Sequence, residues 1–348
     1  MIRIKFRLIS SLIFTLLTTL IADAQDYRWQ QKVKYYMDVE LDVQSHRLKG
    51  SQRLVIYNNS PDTLAEVFFH LYFNAFQPGS DMDIRSRSLP DPDRRVRDRI
   101  SKLNQDEMGY TRIKKAVRGK STLNVDVEGT IARVGLDSPL MPGDSVSINM
   151  EFEGQVPVQI RRSGRYNKEG VAYSMSQWYP KLCNYDEHGW HTDPYVGREF
   201  YAPWGDFEVN ITLASSFCVA ATGYLQNPGD CDCNSLTKSS QYRTWKFFAP
   251  NVHDFVWAAD PDFRHDVFKR ADGRVLQFYY KKDQAYDQAW KDLQPIMNRA
   301  LDLVEGKIGP YPYQTYSFIQ GGDGGMEYPM ATLITGNRPL ISLVGVAV

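Results

Sequence analysis

A chain of 348 residues exceeds one ordinary domain, and a hydrophobic share of 43% supplies apolar side chains for more than one core. Lys and Arg number 41, as do Asp and Glu, so net charge gives no reason to expect a nucleic acid or an anionic membrane as partner. The 21 Tyr and 7 Trp lean instead toward sheets and aromatic-lined surfaces.

The first residues set the compartment. Arg3, Lys5 and Arg7 precede an apolar stretch over residues 9–21, and Ala22-Asp23-Ala24 has the small-x-small form of a cleavage site. Residues 1–24 therefore read as a signal peptide, with the mature chain starting near Gln25. The apolar run is short for a bilayer span, so cleavage is expected over retention as an anchor. The expected location is periplasmic or secreted, with no stable membrane anchor. The four cysteines are Cys183, Cys218, Cys231 and Cys233. Cys231 and Cys233 are too close to pair with each other without strain, and a four-thiolate zinc site would want a second tight pair. They read as structural, with room for one bridge and no pairing assigned.

Short strands then follow one another. Residues 36–43 and 50–58 alternate apolar and polar side chains around the turn Ser45-His46-Arg47. Further runs cover 65–73, 123–127, 145–152, 207–213, 218–222 and 242–248, separated by turns such as Met141-Pro142-Gly143-Asp144. No helix stands out among them, so residues 25–260 read as an all-β domain of sandwich or saddle type. Within it, residues 84–120 carry 12 Lys or Arg against 5 Asp or Glu and read as a solvated insertion loop. From residue 261 the texture changes to a mixed α/β unit. A strand at 275–280 precedes Trp290, Leu293, Met297, Leu301 and Val304 at helical spacing. Pro295 predicts a kink or a late start in that helix, and Gly306 and Gly309-Pro310 predict its end. Strands return at 315–320 and 331–335.

Between those last strands lies Gly321-Gly322-Asp323-Gly324-Gly325-Met326-Glu327-Tyr328-Pro329. Glycines let another backbone approach, Tyr328 is held extended by the following proline, and Pro329 suits an edge strand because it cannot donate to a ladder. Such an edge can accept an extended peptide as an added strand, with Glu327 as a fixed negative charge for the peptide's free ammonium. A plain glycine-rich hairpin with a solvated glutamate has the same composition, and composition does not separate the two.

Gly324-Gly325-Met326-Glu327 resembles the GxMEN motif of the aminopeptidase N family, which are gluzincin zinc metallopeptidases. Ile308-Gly309-Pro310-Tyr311-Pro312-Tyr313-Gln314-Thr315-Tyr316 resembles the family's GxYPYxxY run. Asn251-Val252-His253-Asp254-Phe255-Val256-Trp257-Ala258 resembles the strand closing its β-rich domain, and residues 197–207 look like a variant of bacterial members. The departure is Tyr328, where the family usually has Asn. The resemblance implies a mainly β fold, with residues 25–260 as the N-terminal domain and 261–348 as the first part of a thermolysin-like α/β catalytic domain. It implies peptide substrates with a free N-terminus, captured by Glu327, with Gly324, Gly325 and Met326 beside the substrate backbone. Gln177, in Ser176-Gln177-Trp178-Tyr179-Pro180, stands where a second substrate contact is expected; a buried amide under Trp178 is an equal reading.

The family's chemistry needs zinc held by HExxH. None of the six histidines, His46, His70, His188, His191, His253 and His265, is followed by Glu or has a His four residues on. His188 and His191, three apart in a loop-like stretch, suit surface or packing roles. No catalytic and no metal-binding residue is therefore assigned. Residues 341–348 form an apolar run where the family's HExxH helix begins, so the expectation is a product truncated before that motif. Zinc would belong to the full-length enzyme, and the chain alone is expected to lack bound zinc and peptidase activity. The alternatives are a non-catalytic interaction protein on the same scaffold and a plain exported β-sandwich binding module, which would not need ammonium capture.

Overall fold

A computed structural model describes residues 29–90, 94–197, 201–236, 241–283, 285–322 and 324–347. The leader of residues 1–24 lies outside the described residues, as do Arg198, Glu199, Phe200 and Asp323.

The fold is mainly β. In Lys32–Asp42 the side chains of Val33, Tyr35, Met37, Val39 and Leu41 are buried while their neighbours face outward, and Trp204–Ala214 alternates in the same way. These two strands pair in parallel at the centre of an eight-stranded sheet. Its order is Tyr224–Leu225, Tyr242–Val252, Trp204–Ala214, Lys32–Asp42, Arg47–Tyr57, Ser145–Gln155, Tyr110–Arg118 and Ser121–Thr122. Two four-stranded sheets share its apolar cluster. One runs Cys218–Ala221, Trp257–Asp260, Tyr173–Met175, Gly164–Arg165; the other runs Lys181–Leu182, Leu64–His70, Ile131–Leu140, Val125–Glu128. A disulfide joins Cys218 to Cys233, and Cys183 and Cys231 are buried free thiols.

The structure corrects the reading of residues 84–120 as a solvated loop. Helix α1 (Asp81–Ser88) opens the segment, capped by Ser80 Oγ accepting from Asp83 N at 3.2 Å. Val96 and Ile100 are buried, and Tyr110–Arg118 is a full strand pairing with Ser145–Gln155. Its basic residues stand on a half-solvated strand, which a count of charges cannot distinguish from a loop.

A second, five-stranded sheet runs Phe263–Lys269, Val275–Lys281, Thr315–Gln320, Ala331–Ile334 and Met326–Tyr328. One face carries Leu276, Phe278, Tyr280, Phe318 and Ile334 against helices α2 (Asp287–Ile308) and α3 (Leu340–Ala347), which contribute Trp290, Leu293, Met297 and Leu343. The other face presents Tyr279, Ile319, Ala331, Leu333 and Tyr328 to the larger cluster. Helix α2 starts well before Pro295 and runs through it. Pro295 and Lys291 are both exposed, so the Lys291 carbonyl that loses its partner faces water. Val304, expected on the apolar stripe, is 45% exposed. Among the described residues no helix is long and apolar enough to cross a membrane.

Contacts gather Gln31–Val348 into one unit, and Asp260 sits at its seam. Its carboxylate is fully buried at the end of Trp257–Asp260. It accepts Lys281 Nζ at 2.8 and 2.9 Å, Ala172 N at 2.8 Å and Asp262 N at 2.8 Å. Replacing it by Ala strands two amides and leaves Lys281 only the Asp262 carboxylate, 3.5 Å away, so Asp260→Ala is expected to lower unfolding free energy by about 3 kcal/mol in urea denaturation. Lys281→Met, which leaves the carboxylate its amide partners, is expected to cost less.

His70 is a second internal constraint. It is 7% exposed, stacks on Tyr72 at 4.9 Å, and lies near the buried Lys181–Asp254 ion pair, itself 2.8 Å long. Burial, and then the Lys181 charge, pull its imidazole down to about 3 from its ordinary 6.5. Below pH 6.5 the unfolded chain takes up a proton that the folded chain refuses until pH 3, so stability falls across that window as pH drops. This group alone accounts for about 2 kcal/mol between pH 7 and 5, and His70→Gln should flatten that part of the urea-midpoint profile.

Candidate functional site

The strand Met326–Tyr328 is the outermost of the five-stranded sheet, paired antiparallel with Ala331–Ile334 on one side only. Pro329 follows it, and Met330 turns the chain back with φ 64°. Glu327 lies opposite Thr332, which in turn lies beside Phe318. Cross-strand partners point the same way, so Glu327 projects on the face covered further along by α2 and α3. Its side chain is exposed, and no hydrogen bond or ion pair holds it among the described residues. Burial, and then the Glu327 carboxylate, raise the nearby Tyr316 phenol. An exposed carboxylate beside a free sheet edge, with an aromatic wall at its base, can receive a cation that arrives with an extended backbone.

The glycines before it have separate jobs. Gly322 has φ +75°, and any side chain there would collide with the Asn167 carboxamide, whose Nδ2 donates to Gly321 O at 3.0 Å. Gly324 donates its N–H to Thr335 Oγ1 at 2.6 Å. A Cβ on Gly325 would lie 2.8 Å from the Val346 carbonyl of α3, so the bare backbone lets that helix reach the edge strand. Met326 is half-buried on the opposite face from Glu327.

Gln177 is 2% exposed and has φ +57°, and its Nε2 has no hydrogen-bond partner among the described residues. Among the described residues it alone combines a left-handed non-glycine backbone with a buried, unpartnered side-chain nitrogen. The next residue is locked: Trp178 Nε1 donates to Phe255 O at 3.0 Å. Gln177 is thus buried beside Trp178, and its unpartnered amide nitrogen is a state it shares with the indole nitrogens of Trp245 and Trp257. No hydrogen bond joins it to Glu327 among the described residues. What the fold brings together are their segments: Ser174 Oγ stands 3.3 Å from where a side chain on Gly321 would begin.

His191 Nε2 pairs with Asp186 Oδ2 at 2.7 Å, while His188 is exposed. Among the described residues no three His, Cys, Asp or Glu side chains gather as a metal-binding group. The sequence reading missed Asn167 and Thr335, which hold the glycine segment. Asn167 is more than 150 residues away, by hydrogen-bond separation 154, and only its place in a turn-rich tetrapeptide marks it.

No family model matches the sequence, and no curated protein matches it. Solved structures do match in fold. A point mutant of a two-domain M1 zinc metallopeptidase bound to L-tryptophan aligns with TM-score 0.53 and 14% identity, over 89% of this chain and 62% of that one. The mutant bound to L-arginine aligns with TM-score 0.52 and 15% identity, over 90% and 63%. An M1 metallopeptidase mutant from Deinococcus radiodurans gives 0.51 and 14%, over 89% and 61%. The chain therefore shares their fold and spans about three fifths of their length.

Gly325→Ala drives a methyl into the Val346 carbonyl and should cost about 1–2 kcal/mol in urea denaturation, where alanine at a glycine with open space around it would be neutral or stabilising.

Proposed function

We propose that this chain is the substrate-recognising part of an exported zinc aminopeptidase, and that it selects peptides by their free N-terminus. The observation that carries this reading is Glu327, an exposed carboxylate on the one-sided edge strand Met326–Tyr328. The peptide lies along that edge as an added strand, with Gly324, Gly325 and Met326 beside its backbone. Its ammonium donates to Glu327, which places the first peptide bond a fixed distance from the anchor. Gln177 offers its unpartnered amide N–H to a carbonyl of the same ligand. The fold shared with M1 zinc metallopeptidases supports the peptidase scaffold. The basic and apolar leader ending at Ala22-Asp23-Ala24 supports export. Zinc belongs to the full-length enzyme in this reading. The described residues bring together no group that fits the ion.

Binding of trialanine and of N-acetyl-trialanine to the chain, followed by titration calorimetry or NMR, tests the reading. The free-amine peptide is expected to bind about tenfold more tightly, and Glu327→Gln to erase that difference. Equal binding of the two peptides by the unmutated chain overturns ammonium capture.

A further inference from the structure

The hairpin from Gly164–Arg165 to Tyr173–Met175 reaches from the larger β body onto both flanks of the glycine motif. Asn167 grips the near flank through Gly321. Glu169, two residues on, grips what lies behind it. Its Oε2 accepts Gln320 Nε2 at 2.9 Å and Gly336 N at 2.7 Å, and its Oε1 faces Asn337 N at 3.3 Å. Gln320 is the last residue before the glycines, and Gly336-Asn337 lead into α3. One carboxylate therefore ties the start of the glycine motif to the entry of the helix that packs on Gly325.

The hairpin itself is held in shape. Asn167 Oδ1 accepts the N–H groups of Glu169 and Val171, each at 3.0 Å, so the residue that touches Gly321 also presents Glu169. Gln320 is fully buried and saturated, its Oε1 taking Lys281 N at 2.9 Å and its Nε2 also meeting Asn337 Oδ1 at 3.0 Å. A carboxylate that accepts three donors from two separate segments holds those segments together.

We propose that Glu169 is a positioning residue for recognition of the peptide N-terminus: it fixes α3 and the glycine motif relative to each other, and so sets where Glu327 stands. The proposal rests on the reading of Glu327 given above for its ligand, and on the hydrogen bonds alone for its mechanics. Small displacements of an anchoring group weaken binding steeply, which is why a residue that touches no ligand can govern affinity.

The test combines amide hydrogen exchange on the chain with trialanine binding. Glu169→Ala is expected to speed exchange at Gly336 and Asn337, and also at Gly324 and through the edge strand Met326–Tyr328, with trialanine affinity about tenfold lower. Glu169→Gln, which keeps one oxygen for Gly336, should fall between the two, and it serves alone if the alanine variant does not fold. Faster exchange confined to Gly336 and Asn337, with affinity unchanged, overturns the proposal. If the unmutated chain does not distinguish trialanine from its acetylated form, ammonium capture fails by itself. Exchange at Gly324 and the edge strand then still decides the positioning role: faster exchange upholds it, and unchanged exchange overturns it.

Discussion

Asp260 ends the last strand of the β body, and the second sheet and the 164–175 hairpin are both hung from its carboxylate. A buried charge is tolerated only when donors surround it, and here the donors come from three directions: the Lys281 ammonium of the second sheet, the Ala172 amide of the 164–175 hairpin, and the amide of Asp262 where the chain turns away. The second sheet and the hairpin are thereby placed by the same two oxygen atoms. Once they are, the rest follows as geometry. Lys281 N meets Gln320, Gln320 meets Glu169, and Glu169 meets the entry to α3.

That path matters because the motif it ends on has little of its own to hold it. Gly321, Gly322, Gly324 and Gly325 bury no side chains, and each glycine loses more conformational freedom on ordering than any other residue would. Order must be imported. Asn167 fits the space above Gly322, Thr335 takes the Gly324 amide, and the Val346 carbonyl lies against Gly325. A sheet edge built this way keeps an open backbone where a ligand strand would pair, while its position is set by neighbours that face away from that ligand. Side chains on the glycines could stiffen the segment, but they would fill the space its neighbours need.

Much of this was readable before any coordinates. Alternation placed the strands around Val33 to Leu41 and Phe207 to Leu213, because a period of two reports directly on which face is buried. Pro329 after Tyr328 pointed to an edge, and the sheet does end there. The failures share a cause. Arg112, Lys114, Lys115 and Arg118 disguised the strand Tyr110–Arg118 as a loop, because charge counts do not register pairing with a distant strand. Pro295 marked no break, because its exposure lets water replace the lost donor. Asn167 and Glu169 were invisible for a deeper reason. Their partners lie 151 to 168 residues away, and no local pattern encodes a hydrogen bond across that distance. The candidate residues were legible as a motif; the residues that aim them were not.

Glu327 and Gln177 differ from the carboxylates that hold this region together. Asp254 pairs with Lys181 and accepts from Tyr179 and its own following amide, Asp260 accepts from three donors, and Glu169 accepts from three. In the same region Glu327 is left in solvent on a strand with one neighbour, and Gln177 buries an amide nitrogen without a partner on a left-handed backbone. Holding glutamine at positive φ costs of order 1–3 kcal/mol, and an unmet buried donor adds a comparable penalty. The neighbouring Trp178 is anchored through Phe255. In the function proposed above, a ligand brings an ammonium to the first residue and a carbonyl to the second. A peptide N-terminus carries those two groups within one residue of each other.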